Sequence, residues 1–162
     1  MISILQFIAV LLTAVVMALS LAHALELPGK LRLNREQYLA VQTIYYPGFT
    51  LGGAAEPLGS LVLAALLLLL PASAAAFWYT AGALACLLVV QLLFWTVVQP
   101  VNRHWLKTVQ LTAAAGRFFD TGKAADEADW TRLRDRWERG HVARAVVAAA
   151  GFVLAVLSLT AP

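Results

Sequence analysis

The sequence contains few charged residues and a single cysteine. Charged side chains make up 13% of its 162 residues, hydrophobic residues make up 61%, and the mean hydropathy is +0.76. An ordinary soluble domain is about a quarter charged, so this composition excludes a typical soluble protein and predicts an integral membrane protein. Cys86 is the only cysteine, which excludes an intramolecular disulfide.

The motifs of several enzyme and binding classes are also missing. The sequence has no glycine-rich phosphate loop, no nucleophile elbow and no Cys/His zinc pattern. Its basic residues are interleaved with acidic ones and lie next to apolar runs. This pattern argues against a nucleic-acid partner.

Long apolar runs are what the sequence has instead. They predict an all-α, four-transmembrane-helix bundle in a single domain, 1–162, with spans of about 2–25, 49–70, 76–99 and 141–160. The run 58–70 alone is too short to cross a bilayer, and extending it back to Phe49 brings Glu56 to membrane depth. A cleaved signal peptide is the alternative for the first run, but its start lacks basic residues, so a retained helix is predicted.

The positions of lysine and arginine predict the orientation of the bundle. All of them except Arg144 lie in the connections 26–48 and 100–140, and the connection 71–76 has none. The positive-inside rule therefore places both charged connections in the cytoplasm and both termini outside. A bacterial inner membrane is the expected location, with the lipid bilayer as partner.

Local signals divide the two charged connections into shorter elements. Leu27-Pro28-Gly29 is predicted to end the first helix, and Asn34 with Gln37 resembles a capping box. A helix from Arg35 places four side chains on one face: Tyr38, Gln42, Tyr45 and Phe49.

The last helix is predicted to project from the membrane into the cytoplasm. Residues 118–128 are expected to form a loop, with Asp129 as the N-cap of a helix from about Trp130 to Leu159. Within it, spacing of four residues favours two ion pairs, Arg134 with Glu138 and Asp135 with Arg139.

Polar residues cluster at one level, near the predicted cytoplasmic end of the spans. Polar groups at membrane depth usually face a bundle interior, which predicts a shared polar pocket and an ion pair between Glu56 and Arg144. The alternative is that the long side chains reach the interface individually. The residues at this level are His23, Glu26, Glu56, Asn102, His104, Glu138, His141 and Arg144.

Metal binding is one use of such a cluster. His23 and Glu26, and likewise Glu138 and His141, are three residues apart, and Glu-x-x-His on bundle helices builds di-iron sites. A full di-iron set is one carboxylate short, so neither a metal nor another cofactor is favoured. A haem held by two histidines stays open but has no motif.

Acid-base chemistry is the other use. A neutral histidine is a competent base near neutral pH, which assigns proton removal to His141. Arg144 and Asn102 are then expected to stabilise an oxyanion. Four side chains would contact a small apolar aromatic ligand, although the aromatic ones also fit an interfacial belt: Trp137, Tyr38, Tyr45 and Gln42.

Four segments resemble the anthrone-oxygenase-like family of small four-helix membrane proteins. They are "HALELPGKLRL" (23–33), "YLAVQTIYYPGF" (38–49), "PVN" (100–102) and "LRDRWERGHVARA" (133–145), and the region in which they follow one another in order, 23–145, is most of the chain. Fungal members oxidise anthrones to anthraquinones with dioxygen and without a classical cofactor. The resemblance implies a four-helix membrane fold and draws attention to Asn102, Trp137, His141 and Arg144.

The leading hypothesis is a membrane-embedded, oxygenase-like enzyme acting on an anthrone- or quinone-type compound. In it, His141 removes a proton, Arg144 and Asn102 hold the enolate oxygen, and the carbanion meets dioxygen. The alternatives are a non-catalytic small membrane subunit or ligand-binding protein, and a metal- or haem-binding bundle. A homo-oligomer is compatible with the sequence.

Overall fold

A computed structural model describes residues 1–45, 47–103, 105 and 123–161, excluding the side chains of 123–128. Throughout these residues the regular structure is helical: α1 (Ile2–Lys30), α2 (Arg35–Gln42), α3 (Gly48–Gly52), α4 (Ala55–Leu69), α5 (Ala75–Leu93) and α6 (Lys123–Thr160). Four helical segments are long and apolar enough to cross a membrane: Ile2–Lys30, Gly48–Leu69, Ala75–Arg103 and Asp129–Thr160. The predicted all-α class with four membrane-spanning helices is thereby confirmed, and the protein is an integral membrane protein.

Helix α1 does not end at the predicted break. It passes through Pro28 and Gly29 and ends at Lys30. Proline removes one backbone hydrogen bond but does not prevent helical dihedrals, and Leu31 N still donates to Leu27 O at 3.0 Å. The prediction of a break at residues 27–29 was wrong, and the consequence is that Lys30 remains on the same helix as His23.

The segment between the first two spans begins with the predicted cap. Asn34 accepts from Gln37 N at 2.9 Å, and the Gln37 side chain accepts from Asn34 N at 3.2 Å, which confirms the capping box. The chain then forms a 3₁₀ turn, Thr43–Tyr45, before α3 and α4. The four residues predicted on one face therefore belong to three short elements, and Tyr38 and Tyr45 are buried.

Helix α5 continues through a π-helical segment, Phe94–Val98, towards Arg103. Pro100 has no amide hydrogen to donate to the carbonyl four residues earlier, that of Thr96. Arg136 Nη2 donates to this carbonyl from α6 at 2.9 Å. The side chain of one helix thus satisfies a carbonyl of the next.

Helix α6 begins earlier than predicted. It starts at Lys123, so the expected loop at 123–128 and the N-cap at Asp129 were wrong. The sequence from Lys123 to Ala128 contains three alanines, one lysine and one glutamate, which favour helix. The first part of the predicted loop, 118–122, lies outside the described residues, as does His104.

The four long helices enclose an apolar core, with α1 and α5 each packing against both α4 and α6. Small and branched side chains fill it, including Ala9, Val16, Leu63, Ala83 and Ala148. Large apolar side chains cover the outside, as expected for contact with lipid: Leu11, Leu61, Leu68, Leu88 and Val153 are all exposed.

Close packing of α5 on α6 depends on Gly151. A Cβ placed there would lie 2.9 Å from the Cβ of Cys86. We therefore expect Gly151→Ala to destabilise the bundle by about 1–3 kcal/mol through overpacking, measured as thermal unfolding in detergent. Gly48→Ala is the control, because a Cβ there has nothing within 4 Å. Adding Cys86→Gly should restore stability, and failure to do so would reject the contact as the cause.

We propose the orientation that the lysine and arginine distribution predicts. Reporter fusions at Ala74 and after the last residue should both report the non-cytoplasmic side, because the connection 71–76 has no basic residue. A fusion in the charged connection, after Arg32, should report the cytoplasm. A cytoplasmic signal from Ala74 would contradict the proposed orientation.

Candidate functional site

A buried group of aromatic rings lies at the end of the bundle where α2 meets α5 and α6. Tyr38, Tyr45, Trp105, Trp130 and Trp137 pack together there with Val98 and Val101. Tyr38 contacts Trp105 and Trp130 with ring centroids 5.6 and 5.8 Å apart. Helix α2 thus covers one side of this end of the bundle.

Two histidines meet beside these rings. The ring centroids of His23 on α1 and His141 on α6 are 4.1 Å apart, and Trp137 lies 4.0 Å from His141. His23 also contacts Tyr45 at 4.4 Å and Phe49 at 4.7 Å. Both histidines are buried, so the sequence-predicted His141 lies in the protein interior and does not face lipid or bulk water.

Lys30 is the residue that sequence reasoning missed. It is only 3% exposed, and its Nζ lies 3.0 Å from Glu26 Oε2, 3.8 Å from Glu138 Oε1 and 3.5 Å from His23 Nδ1. The sequence carried a signal, because Lys30 follows Glu26 by four residues and His23 by seven on one helix face. The assumed break at Pro28 hid that signal.

Two tyrosine hydroxyl groups donate to the carboxylates of the cluster. Tyr38 donates to Glu138 Oε1 at 2.7 Å, and Tyr45 donates to Glu26 Oε2. Burial raises the pKa of both tyrosines, and the adjacent carboxylates raise it further. Both hydroxyl groups therefore remain protonated donors at neutral pH, and they hold one oxygen of each carboxylate in place.

Arg144 joins helices on opposite sides of the bundle. Its Nη2 forms an ion pair with Glu56 Oε1 on α4, and both side chains are largely buried. Its Nη1 lies 3.4 Å from His141 Nδ1. A guanidinium can only donate, so this contact favours the His141 tautomer whose hydrogen is on Nε2.

Three polar atoms of α6 in this cluster are buried without a hydrogen-bond partner in the described part of the chain: Glu138 Oε2, His141 Nε2 and Arg144 Nε. Buried polar atoms are rarely left unpaired, and each exception calls for an explanation. The set contains one acceptor and, in the favoured tautomer, two donors. Such a set is suited to a ligand that offers an acidic hydrogen to the acceptor and an oxygen atom to the two donors.

Asn102 and Gln42, two further residues predicted for the site, have different surroundings. Asn102 Oδ1 accepts from Trp137 Nε1 at 2.8 Å, and its Nδ2 lies 3.4 Å from Gln99 Oε1. Asn102 therefore orients the indole that contacts His141. Gln42 is half-buried, and its Nε2 has no partner among the described residues.

The predicted alternative metal ligands are engaged with other groups. Glu26 binds Tyr45 and Lys30, and Glu138 binds Tyr38 and Lys30 through one oxygen. Across residues 1–45, 47–103 and the described part of 123–161, no group of three or more His, Cys, Asp or Glu side chains is arranged to hold a metal ion.

Comparison with known proteins gives one match. The sequence profile of a family described as anthrone oxygenase matches residues 42–154, which is more than half of the chain. The chain belongs to the anthrone oxygenase family. The match contains Glu56, Asn102, Glu138, His141 and Arg144, whereas His23 and Lys30 precede it. No curated protein and no solved structure matches.

Membership of the anthrone oxygenase family agrees with the resemblance found in the sequence. The matched region includes three of the four resembling segments, those at 38–49 in part, 100–102 and 133–145. It also contains all three unpaired atoms of α6.

Proposed function

We propose that this protein oxidises an anthrone-type compound with dioxygen at the buried cluster of α1 and α6. Such a compound has a methylene group between two aromatic rings and a ketone opposite to it. The observation that carries the proposal is a set of buried atoms that have no hydrogen-bond partner among the described residues: Glu138 Oε2, His141 Nε2 and Arg144 Nε. The acceptor matches the acidic carbon–hydrogen bond of the methylene group, and the two donors match the ketone oxygen.

Glu138 is the base in this proposal. Its Oε1 is occupied by the Tyr38 hydroxyl group and lies near Lys30, whereas its Oε2 is free to take a proton. A buried carboxylate needs a compensating charge and hydrogen bonds, and Lys30 and Tyr38 supply them. Sequence reasoning assigned proton removal to His141, but Arg144 beside Nδ1 favours the tautomer in which Nε2 is a donor.

Proton removal from the methylene carbon places negative charge on the ketone oxygen. Hydrogen-bond donors fixed at the position of a developing oxyanion stabilise it strongly in a water-poor site. His141 Nε2 and Arg144 Nε are the proposed donors. Glu56 holds Arg144 through Nη2, which leaves Nε for the substrate. Asn102 acts through Trp137, whose indole it orients.

The reaction with dioxygen balances in atoms and electrons. The carbanion carbon forms a bond with dioxygen, and the resulting peroxide accepts the proton from Glu138. Loss of water then breaks the oxygen–oxygen bond and removes the second hydrogen from the same carbon, which becomes a ketone. One anthrone and one dioxygen give one anthraquinone and one water.

Aromatic side chains supply the walls for a flat substrate. Tyr45, Phe49 and Trp137 contact the ring of His23, and His23 and Trp137 contact the ring of His141. Tyr45 belongs to the 3₁₀ turn before α3, and Phe49 lies in α3 at the start of the span Gly48–Leu69.

Turnover of anthrone by purified protein tests the proposal. In detergent or vesicles under air, the protein should form anthraquinone faster than the buffer alone, with one dioxygen consumed for each product. Exclusion of air should stop product formation while anthrone remains bound. Absence of both turnover and binding would favour the non-catalytic membrane subunit instead.

A further inference from the structure

A second feature of α6 lies on its exposed surface, away from the buried cluster. Arg132, Arg136 and Arg139 follow one another at spacings of four and three residues, so they share one helix face, and all three are exposed. With Val97 and Asp135 they line a surface depression of about 360 Å³ beside α5. We call these three residues the arginine face.

Within the described part of the chain, no carboxylate forms an ion pair with the arginine face. Asp135 Oδ1 accepts from Arg134 at 2.8 and 2.9 Å, and no ion pair between Asp135 and Arg139 occurs in the described part of the chain. The expected pairs of Asp135 with Arg139 and of Arg134 with Glu138 are replaced, because Asp135 binds Arg134 and Glu138 binds Tyr38 and Lys30. The depression is therefore lined by three cations and one neutralised carboxylate.

The same face of α6 continues as an apolar surface. Val146 and Val153 follow Arg132 and Arg139 at intervals of seven residues, and they are 67% and 54% exposed. On the neighbouring helix, Trp95 is exposed. It directly precedes Thr96, whose carbonyl oxygen accepts a hydrogen bond from Arg136. Along α6, the arginine face is thus followed by a lipid-facing apolar strip. An exposed tryptophan lies beside the arginine face on the neighbouring helix.

We propose that the arginine face binds the headgroup of an anionic phospholipid whose acyl chains lie along Val146 and Val153. Arginine presents several donors in a planar fork that suits phosphate oxygens, and basic residues at a bilayer surface attract anionic lipid. Charge complementarity and the apolar continuation together favour a phospholipid over free phosphate, because only a phospholipid contacts both parts. This site is independent of the buried cluster.

Lipid retention after reconstitution tests the site. The protein is placed in vesicles of equal amounts of phosphatidylglycerol and phosphatidylcholine, extracted in mild detergent and repurified, and its bound lipids are quantified by mass spectrometry. The wild-type protein should retain phosphatidylglycerol in excess over phosphatidylcholine. Replacing Arg132 and Arg139 by glutamine should lower that preference by roughly fivefold for each arginine.

A charge-matched variant provides the control. Arg32→Gln with Arg103→Gln also removes two exposed arginines, but from other parts of the surface, and it should keep the preference of the wild-type protein. Equal losses in both double variants, or no preference in the wild-type protein, would overturn the proposal. Displacement of the bound phosphatidylglycerol by millimolar inorganic phosphate would also overturn it, because it would identify a simple phosphate site. Unchanged thermal unfolding of Arg132→Gln/Arg139→Gln is expected, since neither side chain is buried.

Discussion

Arg144→Leu is expected to destabilise the protein by about 3–5 kcal/mol, because it leaves the Glu56 carboxylate buried without its cation. Glu56→Gln should also destabilise it, since Arg144 then loses its counter-charge. The structure places this ion pair between α4 and α6, which lie on opposite sides of the bundle. Thermal or denaturant unfolding in one detergent provides the measurement.

The double variant distinguishes a direct interaction from two separate effects. Arg144→Leu with Glu56→Gln removes both charges, so part of the lost stability should return. Asp135→Asn is the control, because it breaks the more exposed pair with Arg134 and should cost at most about 1 kcal/mol. Strictly additive losses in the double variant would show that Glu56 and Arg144 do not stabilise each other.

Glu138→Gln is expected to lower anthrone turnover by about 10²–10⁴-fold, the usual contribution of a general base. The amide can still accept from the Tyr38 hydroxyl group, so the fold should survive, which size-exclusion chromatography and thermal unfolding would verify. Glu36→Gln is the control, because Glu36 is an exposed carboxylate on α2, and it should retain full activity.

His141→Gln separates the two assignments of the base. The glutamine amide can replace the Nε2 donor but cannot act as a base near neutral pH. If Glu138 removes the proton, His141→Gln should keep more activity than His141→Ala, whereas Glu138→Gln stays nearly inactive. Full activity of Glu138→Gln, together with inactivity of both His141 variants, would return the role of base to His141. Stoichiometric metal in the purified protein, lost in His141→Ala, would support the metal-binding alternative.

Hydropathy and local capping determined much of this protein at the level of the sequence. Uninterrupted apolar runs require helices, because a backbone in lipid must satisfy its hydrogen bonds internally. The capping box of Asn34 and Gln37 acts within four residues, so it too could be identified without tertiary information. Four short segments indicated the family that the profile match shows, and depth in the spans indicated that Glu56, His141 and Arg144 face the interior.

Only the tertiary structure decided which polar groups meet and which atoms stay free. Lys30 looked like one more basic residue of a cytoplasmic connection, until the continuation of α1 through Pro28 brought it between Glu26 and Glu138. The sequence did not indicate that Asn102 Oδ1 accepts from the indole of Trp137. Hydropathy fixes depth along a helix axis but not the rotation of one helix against another. Contacts among α1, α2 and α6 depend on that rotation, and the proposal that Glu138 is the base rests on those contacts.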